Sequence, residues 1–185
     1  NMTIMAPKDF KELEQMIDFA VNFNGPILIR YPRGGEGNLK LKCNEKIVLG
    51  ESELLKEGSD VTIIAIGKMV EKAVEVADKF SKIGVDAEII NARFLKPFDE
   101  NKIIESIEKT KNVITIEDGF IKGGLATTVN ELIAKNGIID VNIENCGYDD
   151  EFVKQGSVQE LEQINGLDCN SIVASWVKNE NIVNE

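Results

Sequence analysis

Short, almost wholly apolar runs alternate with amphipathic helical patterns over most of this chain. That alternation restricts the fold more than any other feature of the sequence. The run VTIIAIG (Val61 to Gly67) shows no polar–apolar alternation, as expected of a strand covered on both faces. MVEKAVEVADKFSKIG then sets Val70, Ala73, Val74, Ala77 and Phe80 on one helical face and closes at Gly84. DAEIINARF predicts a further strand, and the helix after it starts at Asp99, with Ile103, Ile104 and Ile107 inward. NVITIEDG, GGLATTVNELIAKNG and IIDVNIENCG repeat the order strand, helix, strand, with Leu125, Val129, Leu132 and Ile133 inward. Ser157 and Glu160 make a capping box for a short helix that ends at Gly166. Asp168 starts the last helix, which carries Ile172, Val173, Trp176 and Val177. From about residue 47 onward the chain therefore predicts an α/β fold, doubly wound around a mostly parallel sheet.

The beginning of the chain is a smaller version of the same pattern. Met2 to Met5 reads as a strand and ILIRY as another. Between them PKDFKELEQMIDFAVNF predicts a helix with Pro7 in its first turn and Phe10, Leu13, Ile17, Ala20 and Val21 inward. Such a partial βαβ unit is too small to bury a sheet by itself, so it reads as the tail of a larger domain. GGEGNLKLKCNE is glycine-rich and polar, as a linker is. The organisation expected is a domain tail over 1–35, a linker over 36–45 and an α/β domain over 46–185.

Composition narrows the partners. Twenty-one Lys and Arg face 32 Asp and Glu, a net charge of −11, which disfavours a nucleic-acid partner but leaves room for a small phosphorylated metabolite in a local positive pocket. No apolar run approaches the ~20 residues of a membrane helix, and no basic-then-apolar leader is expected. Cys43, Cys146 and Cys169 form no CxxC pair, so neither a disulfide framework nor a zinc site is indicated, and idle thiols in a reducing cytoplasm are expected. The chain has no histidine, which removes the commonest general base and nitrogen metal ligand.

Four stretches carry possible chemistry. Gly119 to Gly124 has the glycine spacing of a phosphate loop, but Leu125 and Ala126 replace its Lys and Ser/Thr. A tight strand-to-helix turn is the preferred reading there, with a helix N-terminus open to a weakly held anion. Glu117 and Asp118 are neighbours at a strand end, so they point to opposite faces and are not expected to act as a pair. RFLKPFD reads as a strand exit with Pro97 fixing the turn. RYPRG holds Arg30 and Arg33, two of the three arginines of an acidic chain, followed by Gly34 and Gly35. A planar guanidinium suits phosphate oxygens, and it equally suits nearby carboxylates, so the residues alone leave both readings open.

The order MTIMAPKD, GPILIRYPRG, NARFLKPFD, VITIEDG followed by GG, and GYDDEFVKQG resembles the 1-deoxy-D-xylulose 5-phosphate synthase family across essentially the whole chain. The resemblance implies a transketolase-type C-terminal domain over 46–185, preceded by the end of a pyrimidine-binding domain over 1–35. It implies a cytoplasmic homodimer that uses thiamine diphosphate and Mg²⁺ to join pyruvate to glyceraldehyde 3-phosphate with loss of carbon dioxide, the cofactor serving as electron sink. Arg33 matches the family arginine that holds the aldehyde's phosphate, and Arg30 is a secondary candidate with a supporting role. The family's catalytic histidines, activating glutamate and magnesium ligands lie in parts of the longer family chain that precede this segment. The segment alone is therefore expected to be inactive and to bind neither cofactor nor metal. The alternatives are part of another thiamine-diphosphate enzyme, a transketolase or a 2-oxo-acid dehydrogenase β chain, or a non-catalytic dimerisation domain.

Overall fold

A computed structural model describes residues 1–35, 37 and 46–183, with side chains through residue 179. The linker expected at 36–45 lies, apart from Gly37, outside the described residues. In chain order the elements are β1 (Thr3–Met5), α1 (Phe10–Asn22), β2 (Ile27–Ile29), β3 (Glu53–Lys56), β4 (Val61–Ala65), α2 (Met69–Lys82) and β5 (Ala87–Asn91). They continue with β6 (Phe94–Lys96), α3 (Glu100–Thr110), β7 (Asn112–Phe120), α4 (Leu125–Asn136), β8 (Asn142–Tyr148), α5 (Val158–Ile164) and α6 (Cys169–Val183).

The larger sheet has the order β3-β5-β4-β7-β8, parallel except for β3, which runs antiparallel along β5. Strands β4 and β5 are buried at every position; the polar members of β5, Glu88 and Asn91, are buried with partners, Glu88 on Thr62 and Lys109 and Asn91 on Glu12 and Glu53. Alternation sends Val61, Ile63 and Ala65 to one face, where Ala73, Phe80, Ile172 and Trp176 cover them. Ile64 and Ile90 go to the other face, against Ile103, Ile107, Val129 and Leu132. Phe80 and Trp176 meet edge-on at a centroid distance of 5.0 Å, joining α2 to α6. This α/β architecture, a mostly parallel sheet covered on both faces, is the one the sequence predicts.

The first unit, β1-α1-β2, is parallel as expected. The sequence did not foretell its other partner. DAEIINARF is not one strand: it breaks at Ala92 and Arg93, and β6 leaves the larger sheet to pair antiparallel with β1, Met5 opposite Phe94. Arg93 makes this turn at φ 54°, a left-handed conformation costing about 1 kcal/mol for a non-glycine residue. The Asn91 side-chain oxygen supports it by accepting the Arg93 N–H at 3.2 Å.

Helix α1 also corrects two expectations. Asp9, not Pro7, opens it, its carboxylate accepting the Glu12 N–H at 2.7 Å, and Pro7 stays outside. The fully buried positions are Glu12 and Met16, whereas Phe10, Ile17 and Val21 are 54%, 48% and 80% exposed. The helix is rotated because Glu12 is required inside. There Lys8 Nζ lies 3.1 Å from Glu12 and 2.7 Å from Glu53, while Arg93 reaches Glu12 at 2.8 Å and Glu53 at 3.2 Å. Asn91 Nδ2 donates to both carboxylates, at 3.0 Å to Glu12 and 3.1 Å to Glu53. Two cations and two anions thus close a neutral cluster, every member buried.

The turn from β7 into α4 is built around another buried acid. Glu117 accepts the N–H groups of Leu125 and Ala126, both at 2.9 Å, satisfying two open donors of the helix. A Cβ at Gly124 would fall 2.1 Å from Glu117 Oε2, so only glycine leaves room for this carboxylate. The helix terminus considered above for an outside anion is thus filled by the chain's own glutamate. Burial pushes the Glu117 carboxyl above the ordinary range, and the two N–H groups and the Arg30 charge pull it part of the way back.

Two outcomes follow. Arg93→Met leaves the Glu12 and Glu53 carboxylates one cation, Lys8, beside the neutral Asn91 donor and should lower the unfolding free energy by about 3–5 kcal/mol in urea titrations; a loss below about 1 kcal/mol would show that the cluster does not hold the two sheets together. For Glu117 the folded chain binds its proton more tightly than the unfolded chain, whose carboxyl titrates near 4.5. Its contribution to stability therefore falls as pH rises above that value. The stability of Glu117→Gln relative to wild type should accordingly improve between about pH 4.5 and neutrality, and a difference independent of pH would contradict the raised carboxyl.

Candidate functional site

Strand β2 ends beside the C-terminal ends of β4 and β7, and RYPRG crosses this seam. Arg30 N–H donates to the Met5 carbonyl at 2.9 Å, continuing β2 along β1 by one residue. The Arg30 guanidinium then spans the seam, and its Nη2 donates to the backbone carbonyl of Asp118 in β7. The side chain of Asp118 turns the other way and pairs with Lys68 Nζ at 3.1 Å. Lys68 stands at the entrance to α2, just after the buried run of β4. Glu117 and Asp118 thus point apart, as neighbouring strand residues must. One is seated on α4 and the other faces α2.

Arg30 and Arg33 have different surroundings. Arg30 is bound to β7, whereas Arg33 is exposed and, among the described residues, has neither hydrogen bond nor ion pair. Arg93, read from sequence only as part of a strand exit, lies buried in the ionic cluster, remote in role from the seam. Lys68 was not singled out from sequence, although a cation directly after the strand run VTIIAIG occupies the strand end where α/β folds place ligands.

Two hollows lie along the seam. One, of about 60 Å³, is bounded by Pro7, Phe10, Leu13, Tyr31, Gly35 and Lys68 among others. The second, of about 50 Å³, is bounded by Arg30, Pro32, Gly67, Lys68 and Asp118 among others. Each has room for one or two waters, well short of a metabolite pocket of roughly 300 Å³ or more. The seam can therefore present cations to an anion but does not enclose a substrate.

Nucleophilic chemistry is absent from the described thiols. Burial, helped by Glu144, pushes Cys146 up to about 12, and burial with the Glu75 contact does the same to Cys169, also to about 12. Both are free and protonated near neutral pH. Cys43 lies outside the described residues. Burial likewise raises the Tyr148 phenol, with Asp118 and Glu162 adding to the effect. Among the described residues no group of three or more His, Cys, Asp or Glu side chains is placed to hold a metal ion.

Comparison with known proteins gives these features a context. The chain is 40% identical over 179 residues to the 1-deoxy-D-xylulose-5-phosphate synthase of Halothermothrix orenii, covering 96% of this chain and 28% of that protein. It is 41% identical over 175 residues to 1-deoxy-D-xylulose-5-phosphate synthase 1 of Geobacter sulfurreducens, covering 94% and 28%. The chain thus spans little more than a quarter of the length of these relatives. Among solved structures, a chain described as a split gene transketolase, inactive beta4 tetramer, superposes with a TM-score of 0.87 at 30% identity, over 96% of this chain and 57% of that one. Residues 50–172, which take in β3 to β8, α5 and the start of α6, match the family described as transketolase, C-terminal domain. By its fold and by that match, the chain belongs to the transketolase C-terminal domain family.

Proposed function

We propose that this chain is the C-terminal part of a thiamine-diphosphate-dependent 1-deoxy-D-xylulose-5-phosphate synthase, a transferase that condenses pyruvate with glyceraldehyde 3-phosphate and releases carbon dioxide. The observation that carries the reading is the division of labour within RYPRG. Arg30 is committed to the Asp118 carbonyl, while Arg33 stands exposed past the end of β2 with its donors open. A planar fork of free donors at a strand end is suited to the phosphate of the aldehyde. The likeness to two synthases at about 40% identity supports this reaction over others. In this reading residues 1–35 end a pyrimidine-binding domain, 36–45 link, and 46–185 form the transketolase-type domain of a cytoplasmic homodimer. Among the described residues no helix is long and apolar enough to cross a membrane.

Thiamine diphosphate and magnesium do not fit the described residues. Among the described residues no three metal-binding side chains converge, and each seam hollow has the volume of one or two waters, too little for a cofactor. Both belong, in this reading, to the remainder of the enzyme, and this chain's part is to bind and orient the phosphorylated substrate. The likeness to a split gene transketolase favours a second reading, sugar exchange. A product assay on the whole enzyme, scoring deoxyxylulose phosphate against exchanged sugars, separates the two.

In the enzyme that contains this chain, Arg33→Ala should reduce kcat/KM for glyceraldehyde 3-phosphate by the equivalent of about 2–5 kcal/mol. Use of unphosphorylated glyceraldehyde should stay nearly unchanged. Undiminished kinetics with the phosphorylated aldehyde would remove Arg33 from the site. The chain by itself should show no turnover and no micromolar heat of binding with thiamine diphosphate.

A further inference from the structure

We infer that Arg30 is a positioning residue: it braces the Tyr31–Gly35 segment against the C-terminal end of β7 and so fixes where Arg33 stands. The inference rests on the reading of Arg33 as the phosphate-binding group.

The segment has little else to hold it. Among the described residues Tyr31, Arg33, Gly34 and Gly35 make no backbone hydrogen bond, and Pro32 has no N–H to offer. Side chains placed at Gly34 or Gly35 would meet nothing within 4 Å, and Gly34 sits at φ 146°. Tyr31 is 62% exposed. The last fixed points before this stretch are both on Arg30: its N–H on Met5 and its guanidinium on Asp118. A segment so weakly bonded would otherwise sample many conformations, and an arginine three residues further on would lose its aim.

The other side of the brace is stiff. Strand β7 is paired to both β4 and β8. Glu117, next to the accepting carbonyl, is locked onto two N–H groups of α4, and the Asp118 side chain is tied to Lys68 at the head of α2. A guanidinium suits this task because its donors lie in one rigid plane, so one contact fixes the direction of the whole group. A lysine at the same place has a flexible stem and a single rotating head. The C-terminal domain thereby acts on the substrate without touching it, by supplying the abutment for a loop that belongs to the preceding unit.

The test compares Arg30→Met and Arg30→Lys with wild type, each with and without Arg33→Ala, in the enzyme that contains this chain. Hydrogen exchange is read without ligand at the amide of residue 30, held by the Met5 carbonyl and the last hydrogen-bonded amide before the segment, with the amides of β4 as an internal standard for folding. Steady-state kinetics are read with glyceraldehyde 3-phosphate. Arg30→Met should accelerate exchange at the residue 30 amide severalfold while β4 is unchanged, because the strand end frays once the guanidinium contact is gone, and should raise KM for the phosphorylated aldehyde about three- to tenfold. Arg30→Lys should fall between. In the Arg33→Ala background the further change in KM should vanish, because Arg30 acts through Arg33. Unchanged exchange in Arg30→Met overturns the brace. An undiminished KM effect in the Arg33→Ala background also overturns it, since Arg30 would then touch the substrate itself. If Arg33→Ala alone leaves KM intact, the phosphate reading falls, and the exchange measurement still decides whether Arg30 braces the loop.

Discussion

Four charges shut away from water decide how this molecule is put together. Lys8 and Glu12 at the start of α1, Glu53 in β3 and Arg93 after β5 come from three separate stretches of chain, and none can be buried unless the others arrive. Such clusters add little net stability compared with apolar packing of the same volume, but they tolerate only one arrangement. Satisfying Glu12 rotates α1. Satisfying Arg93 bends the chain out of the larger sheet and delivers β6 to β1. With β1 anchored in that way, β2 ends beside β7, and Arg30 comes within reach of Asp118. The geometry of the seam is thus a downstream result of where the charges were required to meet.

Apolar order was legible in the sequence, and buried charge was not. Runs such as VTIIAIG and the helical faces through Phe80, Ile107 and Val129 name their own positions, because burial of apolar area drives them and the periodicity records it. Ser157 and Glu160 likewise declare their helix start, and the capping box is there. Lys8, Glu12 and Arg93 look like ordinary surface residues in a chain rich in charge. Only tertiary pairing makes their burial possible, and no local pattern encodes it. The same blindness turned α1 the wrong way: Phe10, Ile17 and Val21 have the spacing of an inward face, yet Glu12 outranks them, since an unpaired buried cation at Arg93 would cost more than a few exposed apolar groups.

At the seam, residue type was more informative than position. Two arginines at the end of a strand in an acidic chain are enough to mark a place of interest, but a sequence cannot say which of them is already engaged. That depends on the backbone carbonyl of Asp118, a group every residue possesses and no motif can flag. Lys68 and Glu117 complete the picture in the same manner. Each is ordinary in sequence and becomes specific only when β4, β7 and α2 bring their ends together.

The seating of Glu117 against Gly124 also bears on what descendants of this fold can become. The commonest way for a strand–turn–helix to acquire a nucleotide is to open its helix terminus to phosphate. Here that vacancy is already taken from within, and the space beside it admits no side chain. Recruitment would need the glutamate lost and a cation gained together, since either change alone leaves open backbone donors or a crowded turn. Evolution of new ligands is therefore steered away from this terminus and toward the looser loop on the far side of the seam.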